Sequence, residues 1–164
     1  MSTTSRDPDE TAQGQTDWRS LLVDDEDGLR ALLRSARRIA VIGAKGDDRS
    51  GEAAHFVPAY LQRAGYEIVP VNPTLDRALG VPAVGSIRLV AGADLVNVFR
   101  RPDAVLGHAL EVLALPPADR PSTFWMQAGI RNDEAARLLA EAGIRVVQDR
   151  CIMVDHRRLV GPAG

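Results

Sequence analysis

The stretch Ile39-Ala40-Val41-Ile42-Gly43-Ala44-Lys45-Gly46-Asp47-Asp48-Arg49-Ser50-Gly51 decides how this chain is read. It opens on an unbroken apolar run rich in β-branched side chains. A run of that kind, as opposed to an alternating one, belongs to a strand covered on both faces, as in a parallel sheet sandwiched by helices. The glycines behind it allow a tight turn and let backbone N–H groups approach an anion, and the start of the next helix adds partial positive charge. Lys45 and Arg49 supply full charges. Over residues 51–64 the period changes, with Ala53, Val57, Tyr60, Leu61 and Ala64 on one helical face. Pro58 lies inside that pattern and removes one helical hydrogen bond, so the helix kinks there or starts later than residue 51.

Outward from this unit the same pattern recurs. Further apolar runs stand at Ile68–Val71, Leu95–Phe99, Thr123–Met126 and Val146–Val147. Helical patterns cover residues 102–114, through Leu106, Ala109, Leu110 and Leu113, and 133–142, through Ala135, Leu138, Leu139 and Ala142. Gly65 and Gly143 close two helices with nearly identical helix-to-strand joints. An earlier helix is expected from Leu21 to Arg37, acidic at its front and basic at its back. Residues 74–92 form a crossover with no assigned element. The expected fold is α/β, a Rossmann-like doubly wound parallel sheet of five strands flanked by helices. Residues 1–17, polar and without an apolar run, are read as a disordered tail, 18–158 as the domain and 159–164 as a C-terminal tail.

Composition narrows the function. The chain has 164 residues, 45% hydrophobic and 26% charged, with 20 Lys+Arg against 22 Asp+Glu. That near-balance argues against a general nucleic-acid or anionic-membrane binder, which needs a large basic excess. Any anion must be bound locally. The longest apolar runs fall far short of the roughly 20 residues that cross a bilayer. One cysteine, Cys151, excludes an intramolecular disulfide and fits a reducing compartment, so the cytoplasm is the expected location.

In doubly wound sheets ligands bind beyond the carboxyl ends of the strands. After the second strand comes Val71-Asn72-Pro73, where NAD-binding domains carry an acidic residue for the ribose hydroxyl; Asn72 lacks that charge. After the third comes Phe99-Arg100-Arg101-Pro102, with arginines able to bind phosphate and an aromatic able to stack on a base. After the fourth, Gln127 offers an amide and Gly129 permits close backbone approach. Catalytic groupings are poor: His55, His108 and His156 are scattered, none has metal-ligand spacing, and Cys151 reads as a small hydrophobe.

Five segments in register, Ile39-Ala40-Val41-Ile42-Gly43, Val71-Asn72-Pro73, Val98-Phe99-Arg100-Arg101, Trp125-Met126-Gln127-Ala128-Gly129-Ile130 and Asp149-Arg150-Cys151-Ile152, carry a resemblance. They resemble the small single-domain CoA-binding proteins, similar in fold to the CoA-binding domain of the succinyl-CoA synthetase alpha subunit. The resemblance implies that coenzyme A or an acyl-CoA is held by Gly43, Ala44, Lys45, Arg49, Ser50, Asn72, Pro73, Phe99, Arg100, Gln127, Gly129 and Ile130. The first loop departs from the family's usual Ser and Pro-containing stretch, and its Asp47 and Asp48 are expected to repel a phosphate. The synthetases also need a second domain bearing a phosphorylated histidine. The expected function is therefore a CoA-binding module without catalysis or a metal. The alternatives are an NAD(P)-binding oxidoreductase or redox sensor, or a ligase subunit completed by a separate protein partner.

Overall fold

Each apolar run becomes a strand. In chain order the strands are β1 (Arg38–Ile42), β2 (Glu67–Val71), the short pair β3 (Arg77–Ala78) and β4 (Val81–Pro82), then β5 (Leu95–Val98), β6 (Thr123–Met126) and β7 (Arg145–Val147). The helices are α1 (Glu26–Ser35), α2 (Ala53–Arg63), α3 (Val105–Leu113), α4 (Asp133–Glu141) and α5 (Ile152–Leu159). The computed structural model describes residues 17–161, so the N-terminal tail read from the sequence, Asp17 apart, lies outside the described residues, as do residues 162–164.

Five strands pair in parallel in the order β2-β1-β5-β6-β7, and β5 and β6 are buried along their whole length. α1, α2 and α5 cover one face, packing Leu29, Leu33, Leu61 and Ile152 on Ile39, Val41, Leu95 and Trp125. α3 and α4 cover the other, packing Val105, Ala109 and Leu139 on Ile42, Val96, Val98 and Phe124. The sheet is thus doubly wound and Rossmann-like, as the continuous apolar runs require. Gly65 and Gly143 follow α2 and α4 at φ +107° and +88°, the left-handed joints expected of them.

The crossover left unassigned by the sequence contains a sixth position in the sheet. β3 and β4 form an antiparallel hairpin turning at Leu79 and Gly80, both at positive φ. Val84 then bridges to Val71 in parallel: Asn72 N–H donates to the Val84 carbonyl at 2.8 Å, and Val84 N–H to the Pro70 carbonyl at 2.9 Å. Adding Val84 outside β2 reproduces the six-strand order of dinucleotide-binding folds, with the third strand reduced to one bridge. Pro82, lacking an N–H, and Gly85 bound that bridge on either side.

At the opposite edge, Leu22 bridges to Val146 and Val23 N–H donates to the Val146 carbonyl at 2.9 Å. The helix expected from Leu21 to Arg37 is accordingly shorter. Asp25 caps it, accepting from Gly28 N–H at 2.9 Å, and the chain before Asp25 is drawn off to the edge of β7. α5 was not read from the sequence. It carries the fold through buried Leu159, one residue past the boundary drawn at 158.

Candidate functional site

The chain runs from β1 out to β2 on one side and later enters β5 on the other, so strand order reverses between β1 and β5. Ile42 stands beside Val71 and Val98 in register, and Gly43 and Phe99 continue these two strands at the point of reversal. Gly43 has φ +83°, and a Cβ on it would lie 2.2 Å from the Phe99 carbonyl oxygen and 3.3 Å from Arg100 Nε. Only glycine fits there.

The loop after β1 is tied down from three directions. Asn72, buried at the end of β2, donates through Nδ2 to the Ala44 carbonyl at 2.9 Å, and its Oδ1 accepts from Thr74 N–H and Oγ1 at 2.9 and 2.7 Å. Both ends of the Asn72 amide are therefore engaged with the protein. Pro58 explains the second tie. It has no N–H to give the Ala54 carbonyl, which instead accepts the Lys45 N–H at 3.1 Å. The helix stays continuous through Pro58 and starts at Ala53, later than residue 51.

Asp47 makes the third tie, with one carboxylate oxygen at 2.8 Å from His55 Nε2 and 3.1 Å from Leu79 N–H. The bond to His55, then that to Leu79, holds its carboxyl below the usual carboxylate range. These donors fix the Asp47 side chain in place as a carboxylate. Lys45, Arg49 and Ser50 are exposed, with Arg49 3.5 Å from Glu52. Pro73 is exposed as well. No side chain caps the first turn of α2.

Beside this loop lies a cavity of about 540 Å³. Phe99, Arg100, Gln127 and Ile130 line it, so the structure brings together residues expected from two different strand ends. Gly129 stands next to it at φ +81°, with its N–H donated to the Asp149 carboxylate at 2.6 Å. Arg101 and Ala128, from the same strand ends, complete that side, and the rest of the wall was not foreseen: Ala53, Phe56 and Val57 from α2, and Cys151 and Met153 at the start of α5. Met153 could not be found without reading α5. Phe56, 39% exposed, is an aromatic off the core stripe of α2, a signal present in the sequence.

The segment 149–152 serves as a frame around the cavity. Arg150 makes a two-pronged pair with buried Asp155, at 2.7 and 3.1 Å, and reaches Asp24 at 3.0 Å. The Asp155 bond raises the arginine above its already high range. The Arg150 carbonyl accepts from Trp125 Nε1 at 2.8 Å. His156 accepts or donates at Nδ1 with the Tyr60 hydroxyl, 2.7 Å away, and burial pushes its pKa down. His108 is likewise pushed down by burial, opposed by Glu111 and aided by Arg100. Among the described residues no group of three or more His, Cys, Asp or Glu side chains is placed to hold a metal ion, and no helix is long and apolar enough to cross a membrane.

Residues 37–157 match the model of the CoA binding domain family. The chain belongs to that family. The matched stretch begins just before β1 and ends inside α5, so it spans the whole sheet and every loop described above. Within this CoA-binding family frame the chain is similar to the uncharacterized protein YneT of Bacillus subtilis (strain 168), 46% identical over 129 residues that cover 78% of this chain and 91% of YneT. A solved structure from Thermus thermophilus, cell-free ID.343, is 43% identical with a TM-score of 0.75, covering 83% of this chain and 99% of that one. A hypothetical protein from Pyrococcus horikoshii OT3 is 27% identical with a TM-score of 0.75, covering 84% and 94%.

Proposed function

We propose that the chain is a binding module for coenzyme A or its thioesters. The observation that carries this reading is the switch point itself. Gly43 lets the chain leaving β1 pass close against Phe99 at the end of β5, Arg100 lies beside it, and the 540 Å³ cavity opens next to them. A nucleotide attached to a long, thin arm needs charge and backbone donors at one end and an apolar recess at the other. The residues present fit such a ligand. Lys45, Arg49 and the uncapped amides of α2 suit the pyrophosphate, with Arg100 at the crevice. Asn72 and Ala44 fix the loop, as positioning residues. Phe99, Gln127 and Ile130 line the recess at the far end of the arm.

Asn72 also favours CoA over NAD. Its amide is occupied by Ala44 and Thr74, and no carboxylate stands at the end of β2 for a ribose hydroxyl. A thermal melt tests the reading. A ligand at about 100 times its Kd stabilises the folded state by roughly 2.7 kcal/mol. For a chain of this size that amounts to about 5–10 °C in Tm. CoA should give that shift, dephospho-CoA a smaller one, and NAD or NADP at equal concentration almost none. A strong shift with NAD and none with CoA would overturn the reading.

A further inference from the structure

We infer that the cavity is an acyl pocket, so that the preferred ligand is a CoA thioester with an apolar acyl group and not free CoA. This rests on the CoA reading above and adds to it the chemistry of the thiol end. Two observations carry it.

The first is the state of Gln127. It is 5% exposed, and its Oε1 accepts from Asn97 Nδ2 and from Ile152 N–H, both at 3.3 Å. The backbone N–H can only donate, so the orientation of the amide is set. Its Nε2 makes no hydrogen bond among the described residues and is left to the cavity that Gln127 lines. Open to that cavity, the Nε2 can donate to an acceptor on a ligand. A free thiol is a weak one, whereas the carbonyl oxygen of a thioester is a good one.

The second is the wall. Phe56, Val57, Phe99, Ile130 and Met153 surround the space with apolar surface drawn from both helices and both strand ends. Phe56 is among the few large apolar side chains the fold leaves exposed. The pantetheine arm of CoA carries two amides that need partners, and among the described side chains lining the cavity, apart from the arginines and Cys151, Gln127 is the polar one. An alkyl chain needs none. With the thioester carbonyl on Gln127 Nε2, the chain beyond it would cover Phe56 and Met153.

Calorimetric titration of the full chain with CoA and with acetyl-, butyryl-, hexanoyl- and succinyl-CoA tests this. Each buried methylene should tighten binding about fourfold until the cavity is filled, so butyryl-CoA should exceed acetyl-CoA by roughly fifteenfold. Phe56, already part-exposed, can be truncated without opening the core. Phe56→Ala should weaken hexanoyl-CoA about tenfold and change CoA less than twofold. Gln127→Met should erase the preference for acetyl-CoA over CoA. Acyl-CoAs binding no tighter than CoA, succinyl-CoA binding tighter than butyryl-CoA, or equal losses for CoA and hexanoyl-CoA in Phe56→Ala would each overturn the acyl pocket and leave the CoA reading standing. Binding of none of these ligands would overturn both.

Discussion

Gly43 and Phe99 approach so closely that a Cβ on the first would stand 2.2 Å from the carbonyl oxygen of the second. The two residues directly follow β1 and β5, the strands between which the chain reverses its direction across the sheet. The glycine is therefore required by backbone, which cannot swing aside as a flexible side chain would.

Gly43→Ala should cost about 2–5 kcal/mol, the sum of a left-handed residue with a Cβ and an overpacked contact. Gly143→Ala is the control. It shares the positive φ, at +88°, and its Cβ would meet nothing within 4 Å, so its cost should stay near 1–2 kcal/mol. Urea midpoints of the two variants make the comparison. Equal losses would mean that conformation alone, and not the approach to Phe99, demands glycine at position 43.

Asn72→Ala should destabilise by about 1–3 kcal/mol, since it leaves the Ala44 carbonyl and the Thr74 turn without their partner. Asn72→Asp should be no better. It keeps the acceptor for Thr74 but sets a carboxylate against the Ala44 carbonyl. If Asn72 acts by positioning the loop, both variants should weaken CoA in calorimetry together with the loss in stability, and a loss of binding at unchanged stability would make it a direct ligand contact.

Arg100→Ala should weaken CoA binding on the order of 10–100-fold, as expected for losing a charge-assisted hydrogen bond. Arg49→Ala should cost less than about tenfold, because Arg49 is exposed and shared with Glu52 at 3.5 Å. Both losses should shrink as salt is added, the second more than the first. Unchanged affinity in both variants would remove the phosphate site from this end of the sheet.

The strands, their parallel pairing and the two glycine joints were legible because continuous apolar runs and helix-ending glycines are local signals. The single bridge at Val84 was not, since a one-residue strand between Pro82 and Gly85 has no period to detect. α5 was missed for a related reason. Ile152, Asp155, His156 and Leu159 form its buried face, and two of those four are polar residues whose burial depends on Arg150 and Tyr60, which come from elsewhere in the chain. The site divides the same way. Phe99, Arg100, Gln127 and Ile130 could be found by looking just past strand ends, whereas Phe56 and Met153 enter through helix faces that only tertiary packing turns toward the cavity. Asn72 was legible as a position and not as a role: the lack of a carboxylate is visible in sequence, but its bond to Ala44 is made across 28 residues.

His156 should make the fold sensitive to mild acid. It is buried, with Nδ1 at 2.7 Å from the Tyr60 hydroxyl and Tyr66 edge-on at 5.6 Å; Arg34 and Arg37 border the same small cavity, and Arg157 lies over the Tyr60 ring. The arginines do not favour a charged imidazole, and burial lowers its pKa. The native state then binds fewer protons than the unfolded chain, whose histidine titrates near 6.5. Its contribution is fully present above about pH 6.5 and is lost as pH falls from there toward the lowered native value, by at most about 1.4 kcal/mol per pH unit. His108, also pushed down by burial, adds a loss of the same sign. Urea unfolding of the native protein at pH 7.5 and 5.5 should show the decline. His156→Gln, which retains an acceptor for Tyr60 but cannot be protonated, should lower stability at pH 7.5 yet lose distinctly less than the native protein between the two pH values. Parallel losses would assign the acid sensitivity to His108 or to the carboxylates instead.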